Sequence, residues 1–274
     1  MNRWLGPALA VGREGSRRVV DDRLSVHAGS LTYGAFLSLP PLLLLALSVM
    51  GFSLSGRPQA QVRVAEGIVT SIPGLESVAG AWIDSVVDGR TVLGLLAVPT
   101  VLYTGLGVVA RARVALGDVF GAPVSGLLRA RAQGLTRLVP LGVAFLVLVS
   151  AVGLVSSLSY GGRLPLLSEV LALSGLSVLA VGWAGLTFRL LSPDGSIGIR
   201  EHWPGALAYG ISFVLIQRVG ALLVPLIGSG DVALYGALSA TFVLLGYIYA
   251  LAFTFLLAAE LTVWNRDGRP LPRL

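Results

Sequence analysis

The sequence predicts an all-α, polytopic membrane fold with six transmembrane helices, and three observations carry that reading. Hydrophobic residues make up 55% of the chain and charged residues only 12%, against about a quarter charged in soluble proteins. Six long, largely apolar stretches run over 24–56, 91–110, 138–162, 170–188, 202–230 and 232–259, interrupted by a charge only at Arg218. Each is about long enough to cross a hydrocarbon layer, which takes roughly 20 helical residues. The arginines fall in alternate gaps: fifteen of the twenty basic residues lie before span one, between two and three, between four and five, and after six. Arg57, Arg63, Arg90 and Arg163 occupy the other gaps. Basic flanks stay on the cytoplasmic side, so the split predicts an inner-membrane protein with both termini in the cytoplasm.

The elements follow in order. Residues 1–27 read as a cytoplasmic segment, and residues 28–264 as one membrane domain with spans at about 28–52, 91–110, 138–160, 170–191, 204–228 and 234–264. Residues 265–274 form a cytoplasmic tail. No short apolar region ending in a small-residue cleavage site precedes span one, which is expected to act as an uncleaved anchor. Span one carries Ser30, Gly34 and Ser38 at a four-residue repeat, a stripe of small groups suited to close helix packing. The Pro40-Pro41 pair removes two backbone donors and predicts a kinked or broken first helix. In the loop 53–90, Val62, Ala65, Val69 and Ile72, then Val78, Trp82 and Val86, recur at helical spacing around Pro73-Gly74. They predict two short amphipathic helices on the periplasmic surface. Pro193-Asp194-Gly195 marks a turn before span five. The pattern Gly29-x-Leu31-x-Tyr33-Gly34 recurs as Gly205-x-Leu207-x-Tyr209-Gly210, a match that a chain this rich in glycine, alanine and leucine produces readily by chance.

Composition also excludes chemistry. The chain has no cysteine and no lysine, which removes thiol nucleophiles, Cys-ligated metals, the phosphate-loop lysine and Schiff-base catalysis. Two histidines, His27 and His202, cannot build a histidine-rich metal centre. No set of acid, base and nucleophile converges at one depth, so neither an enzyme nor a cofactor is expected. The net charge of +6 is read as juxtamembrane arginine facing anionic lipid headgroups, with no nucleic-acid partner.

An ionisable group at membrane depth is a functional candidate. Arg218 lies about fourteen residues into span five, roughly 21 Å along the helix axis. It either receives an anionic headgroup in a cavity, or snorkels to the surface and pairs with Asp231, Asp84 or Asp88. Glu260 falls near the inner end of span six, at the depth of Arg189, Arg111 and Arg113. These residues are candidates for an interfacial ion pair or a coupling group, with Asp22 and Asp118 flanking the same side. Tyr33, Ser38, Pro41, Arg218 and Tyr235 are the candidate substrate or lipid contacts.

Several of these stretches together carry a resemblance. Ala28 to Leu43 (AGSLTYGAFLSLPPLL) with Asp22 six residues before it, Ala110 to Gly121 (ARARVALGDVFG), Phe188 to Pro193, Pro204-Gly205-Ala206, Tyr235-Gly236 and Ala259-Glu260-Leu261 occur in that order. The set resembles the YihY/BrkB family of bacterial inner-membrane proteins over about residues 20–264. Pro40, Gly117 and Ala258 depart from the residues common in that pattern. The resemblance implies a transporter linked to the envelope, with anionic lipid or a lipid-linked precursor as substrate. A non-transporting scaffold that binds an envelope protein partner is the alternative, and a homo-oligomer is compatible with either. The ribonuclease BN label attached to some members does not fit a chain with two histidines and no soluble domain.

Overall fold

A computed structural model describes residues 23–53, 90–122, 127–160, 166–192, 199–228 and 236–266. The amphipathic helices expected in 53–90, and Asp22 and Tyr235, lie outside them, as do the side chains of residues 43–52. The described residues form six α-helices and no strand: α1 (Leu24–Ser53), α2 (Arg90–Val119), α3 (Leu127–Tyr160), α4 (Leu166–Leu191), α5 (Ile199–Gly228) and α6 (Gly236–Arg266). Two stretches among them, Val170–Leu191 and Thr241–Arg266, are long and apolar enough to cross a membrane by length and composition, and Thr136–Val152 is a shorter apolar helix segment.

The helices are longer than the apolar stretches that predicted them. The 34 residues of α3 extend about 51 Å at 1.5 Å per residue, against a hydrocarbon layer of about 30 Å. Most of the basic connection expected between spans two and three is therefore helix: α2 carries Arg111 and Arg113, and α3 carries Arg129, Arg131 and Arg137. Helix costs nothing in unsatisfied backbone on leaving the lipid, so it continues until a residue stops it. For α2 that residue is Gly121, with φ of 71°. The Ala122 amide donates to the Gly117 carbonyl at 2.8 Å and the Gly121 amide to the Asp118 carbonyl at 3.1 Å. This is the paired closure of a Schellman cap, whose left-handed residue is normally glycine.

The expected break in the first helix is absent: α1 runs unbroken through Pro40 and Pro41. The prolines cancel two of its backbone bonds, those to the Phe36 and Leu37 carbonyls, and the remaining ladder holds the helix together. Pro204 does not start α5 either, because the helix already begins at Ile199.

Neighbouring helices pack in chain order, and α6 returns to α1, closing a six-membered ring; α2 also reaches α4 and α6. Point contacts fix the registers. Between α1 and α2, His27 meets Asp118 and Gly34 meets Arg111. Between α2 and α3, Gly105 meets Leu138 and Val109 meets Gly134. Between α4 and α5, Val181 meets Gly210 and Phe188 meets His202. In each pair one number rises as the other falls, so the helices are antiparallel. One end of the bundle therefore gathers the start of α1, the end of α2, the start of α3, the end of α4, the start of α5 and the end of α6.

Small residues set the closest approaches. A Cβ on Gly205 would run into the backbone carbonyl of Ala258 and the Thr262 hydroxyl of α6. A Cβ on Gly210 would strike Val181 and come within 2.8 Å of the Ser177 carbonyl of α4. An aromatic column fills the space beside these contacts. Phe255 of α6 lies 5.0 Å from Phe188, 5.6 Å from Trp183 and 5.6 Å from Tyr209, ring centre to ring centre. Phe145 of α3 joins through Trp183 at 6.1 Å. Apolar side chains also cover the outside: Val139, Val143, Leu146 and Val147 on α3, and Ile211, Leu215 and Val219 on α5, are exposed. Their spacings, four, three and one on α3 and four and four on α5, make an outward apolar stripe on each helix.

The glycine contacts predict an asymmetry. Gly205→Ala should destabilise the bundle by about 1–3 kcal/mol, the usual cost of forcing atoms into a packed site, because the colliding atom is backbone. Gly29→Ala, where nothing lies within 4 Å, should leave the thermal midpoint in detergent unchanged or raised; equal losses at the two sites would contradict the packing described. For the 2.9 Å His27–Asp118 pair, a double-mutant cycle with alanine should give a coupling below about 1 kcal/mol, as for other partly exposed pairs.

Candidate functional site

The gathered end of the bundle is where charge and burial coincide. On α2, Val108, Arg111 and Asp118 share one stripe and turn to α1: a Cβ on Gly34 would lie 3.0 Å from Arg111 Nη1 and 3.4 Å from Val108, and Asp118 meets His27. Gly105 and Val109, four residues apart, face Leu138 and Gly134 of α3. Arg113 is the next residue at that spacing, so it belongs to the α3 face. The two arginines grouped as one interfacial set in the sequence therefore serve different seams.

Arg113 is 5% exposed. Its Nε and Nη1 atoms are buried and have no hydrogen-bond partner among the described residues. On α3, Gly134, Arg137, Leu138 and Leu141 lie at positions i, i+3, i+4 and i+7, one helix face. Gly134 and Leu138 touch α2 and Leu141 is buried. Arg137 is thus on the stripe that meets α2, and its Nη1 is also buried without a hydrogen-bond partner among the described residues. Arg113 lies beyond the apolar stretch 91–110. Burial first, and the Arg137 charge second, lower its pKa from the ordinary arginine value.

Other polar groups cluster at the same end. His202 of α5 is buried, with its ring 6.1 Å from Phe188 and 6.5 Å from Phe120. Both carboxylate oxygens of Glu260 on α6 are buried, two residues from each of Ala258 and Thr262, where α5 presses in. Ser192, just after α4, is buried, and its hydroxyl meets no partner among the described residues. Arg189 shares the depth of Glu260 but is exposed. Among the described residues no three His, Asp or Glu side chains converge on a possible metal position.

The candidate substrate contacts do not form one constellation. Tyr33 is 59% exposed on the outer face of α1. Ser38 and Pro41 face inward, and the Ser38 hydroxyl donates to the Gly34 carbonyl at 2.8 Å. Its proton is thus used inside its own helix, as in Thr32, Thr187, Thr254 and Thr262, a common way to satisfy a hydroxyl in an apolar setting. Arg218 is exposed and sits in the outward stripe with Ile211, Leu215 and Val219, so it faces the surroundings of the bundle. Its long stem can carry the guanidinium along the apolar surface to water or phosphate.

Sequence reasoning passes over Arg137 and the burial of His202. For Arg137 a signal exists in the spacing of Gly134, Leu138 and Leu141, but it becomes readable only once α3 is known to start at Leu127 and to pair with α2. His202 stands at the edge of an apolar run beside Trp203 and Pro204, with no periodic cue to its burial.

The profile of the virulence factor BrkB family matches residues 16–270. An uncharacterised protein of Dickeya dadantii (strain 3937) is 32% identical over 114 residues, 40% of this chain and 34% of that protein. Inner membrane protein YhjD of Escherichia coli (strain K12) is 30% identical over 99 residues, 35% of this chain and 29% of its own length. The matched stretches cover about a third of those relatives. No solved structure matches the chain. The all-helical bundle with its outward apolar stripes and two helices long and apolar enough to span agrees with a match over nearly the whole sequence: the chain is a membrane protein of the virulence factor BrkB family.

Proposed function

We propose that this protein crosses the bacterial inner membrane six times with both termini in the cytoplasm, and moves an anionic, amphiphilic envelope lipid or lipid-linked precursor across it. The observation that carries the reading is Arg113, a cation 5% exposed inside a bundle whose outer face is apolar. An unpaired buried charge is costly, and an anion from outside the chain would offset that cost. Lipid is the abundant source of anions beside such a bundle, and the arginines at this end favour anionic headgroups near the cytoplasmic surface. The outward stripes on α3 and α5 give the acyl chains a continuous apolar path while the headgroup travels inside. Without a nucleotide-binding loop, the driving force is an ion gradient, a partner or the lipid gradient itself. The buried Glu260 and His202 at the same end are titratable groups available for coupling to a proton gradient.

Reconstitution in vesicles tests this directly. With fluorescent phosphatidylglycerol and phosphatidylcholine in the same membrane, the protein should speed leaflet exchange of the anionic lipid selectively. Arg113→Gln should slow that exchange about tenfold or more, since charge-assisted hydrogen bonds contribute about 1.5–3 kcal/mol each. Leaflet exchange no faster than in protein-free vesicles would remove the transport reading and leave a scaffold.

A further inference from the structure

The α2–α3 hairpin has a charge imbalance that its own residues do not resolve. Between Arg90 and Tyr160 it carries Arg90, Arg111, Arg113, Arg129, Arg131 and Arg137, and one carboxylate, Asp118. Asp118 is on the α1 face, bonded to His27 at 2.9 Å. Arg111 is also turned to α1, over Gly34. On the opposite face, the seam with α3 holds Arg113, whose buried Nε and Nη1 meet no hydrogen-bond partner among the described residues, and the half-buried Arg137, whose Nη1 likewise meets none. The buried carboxylate of Glu260 is among the groups that do not reach Arg113 Nε or Nη1.

We propose that Arg113 and Arg137 form an oxyanion site in the α2–α3 seam that takes a phosphate group carrying more than one negative charge, the phosphomonoester or diphosphate end of a lipid. This rests on the reading of the chain as handling an anionic lipid, and it names the headgroup. Two guanidiniums in one seam match a ligand of nearly two charges, and a phosphomonoester carries about −1.5 to −2 at neutral pH. A phosphodiester carries a single charge and leaves one guanidinium uncompensated. Donor number points the same way: an arginine Nε offers one N–H and each Nη a pair, so the orphaned atoms suit a group with several acceptor oxygens. Arginine is also the residue whose planar, always charged head best fits phosphate. Like charges held together in a buried seam repel, and Arg137 already weakens Arg113's hold on its proton; a bound dianion would turn that repulsion into attraction to a common centre.

The experiment uses the full chain in nanodiscs of phosphatidylcholine, with phosphatidic acid as the lipid probe, phosphatidylglycerol as the monoanionic comparison and inorganic phosphate as the free anion. Native mass spectrometry reads bound lipid, and thermal unfolding reads stabilisation by each probe. Phosphatidic acid should bind at least about tenfold more tightly than phosphatidylglycerol. Arg113→Gln and Arg137→Gln should each weaken it about tenfold or more. Arg113→Lys, which keeps the charge and guards against loss of folding, should fall between, and Arg266→Gln, an exposed arginine at the end of α6, should stay within twofold of the parent. Stabilisation by inorganic phosphate that is lost in the same two variants supports the site with a free anion as its source, and loss confined to phosphatidic acid supports a lipid headgroup. Equal binding of both lipids, or phosphatidic acid binding unchanged in Arg113→Gln, overturns the proposal. So does full recovery of Arg113→Gln stability by adding Glu260→Gln, which would mark an internal ion pair. Binding that persists where vesicles show no leaflet exchange sinks the translocator reading and leaves the site standing.

Discussion

The approach of α5 to both of its neighbours is the contact on which the rest of the bundle depends. Apolar surface gives helices no preference for one another over lipid, so packing itself must supply the attraction. Dispersion falls steeply with separation; a helix pair therefore gains most where side chains vanish and backbones meet. Gly205 against the Ala258 carbonyl and Gly210 against the Ser177 carbonyl give α5 two such places on opposite sides, one for α6 and one for α4. Once these contacts form, Tyr209 must lie between Trp183 and Phe255, at 5.8 and 5.6 Å, and His202 must lie against Phe188. The aromatic column is thus a consequence of the glycine contacts. It sets the register of the whole end at which the charges are gathered.

The same logic separates the two glycine-tyrosine-glycine stretches. Gly29 faces open space and Gly34 receives an arginine side chain, whereas Gly205 and Gly210 both receive backbone. Tyr33 points outward and Tyr209 is buried. The recurrence is therefore not a structural repeat, and α1 and α5 are not equivalent. Where α5 is held by backbone contact, α1 is held by a histidine–aspartate pair and by an arginine lying over a glycine, both of them near the mouth.

The six helices among the described residues are legible in the sequence because apolar length reports their places directly and does not depend on which way a helix turns. Facing is not legible. In α1 and α6 the apolar residues surround the helix, so no periodic stripe distinguishes inside from outside. That is why depth alone leaves Arg218 open between a cavity and the surface, and only the fold places it among Ile211, Leu215 and Val219 on the outer face. It is also why Arg111 and Arg113 look alike in the sequence: only the contacts with Gly34 on one side and Gly134 on the other assign them to separate seams. At Pro40 and Pro41 the loss of two backbone bonds predicts a kink or a break; the helix does not break, because its 30 residues keep enough of the ladder on either side to run through them.

Arg218 and Arg113 show what burial adds to depth as a criterion. Both are arginines in long helices, but Arg218 interrupts an apolar stretch, where charge in a membrane is costly, whereas Arg113 lies just beyond one. Arg218 lowers that cost by facing outward, because a guanidinium on a flexible stem can reach phosphate or water at the surface. Arg113 turns the other way: its Nε and Nη1 are buried and meet no hydrogen-bond partner among the described residues. An enclosed cation without an acceptor raises the energy of the empty protein, and a ligand that supplies the acceptor recovers that energy on binding. The empty bundle is then less stable than the occupied one, and the difference is available to draw an anion away from the membrane surface. A site built in this way selects for charge before it selects for shape.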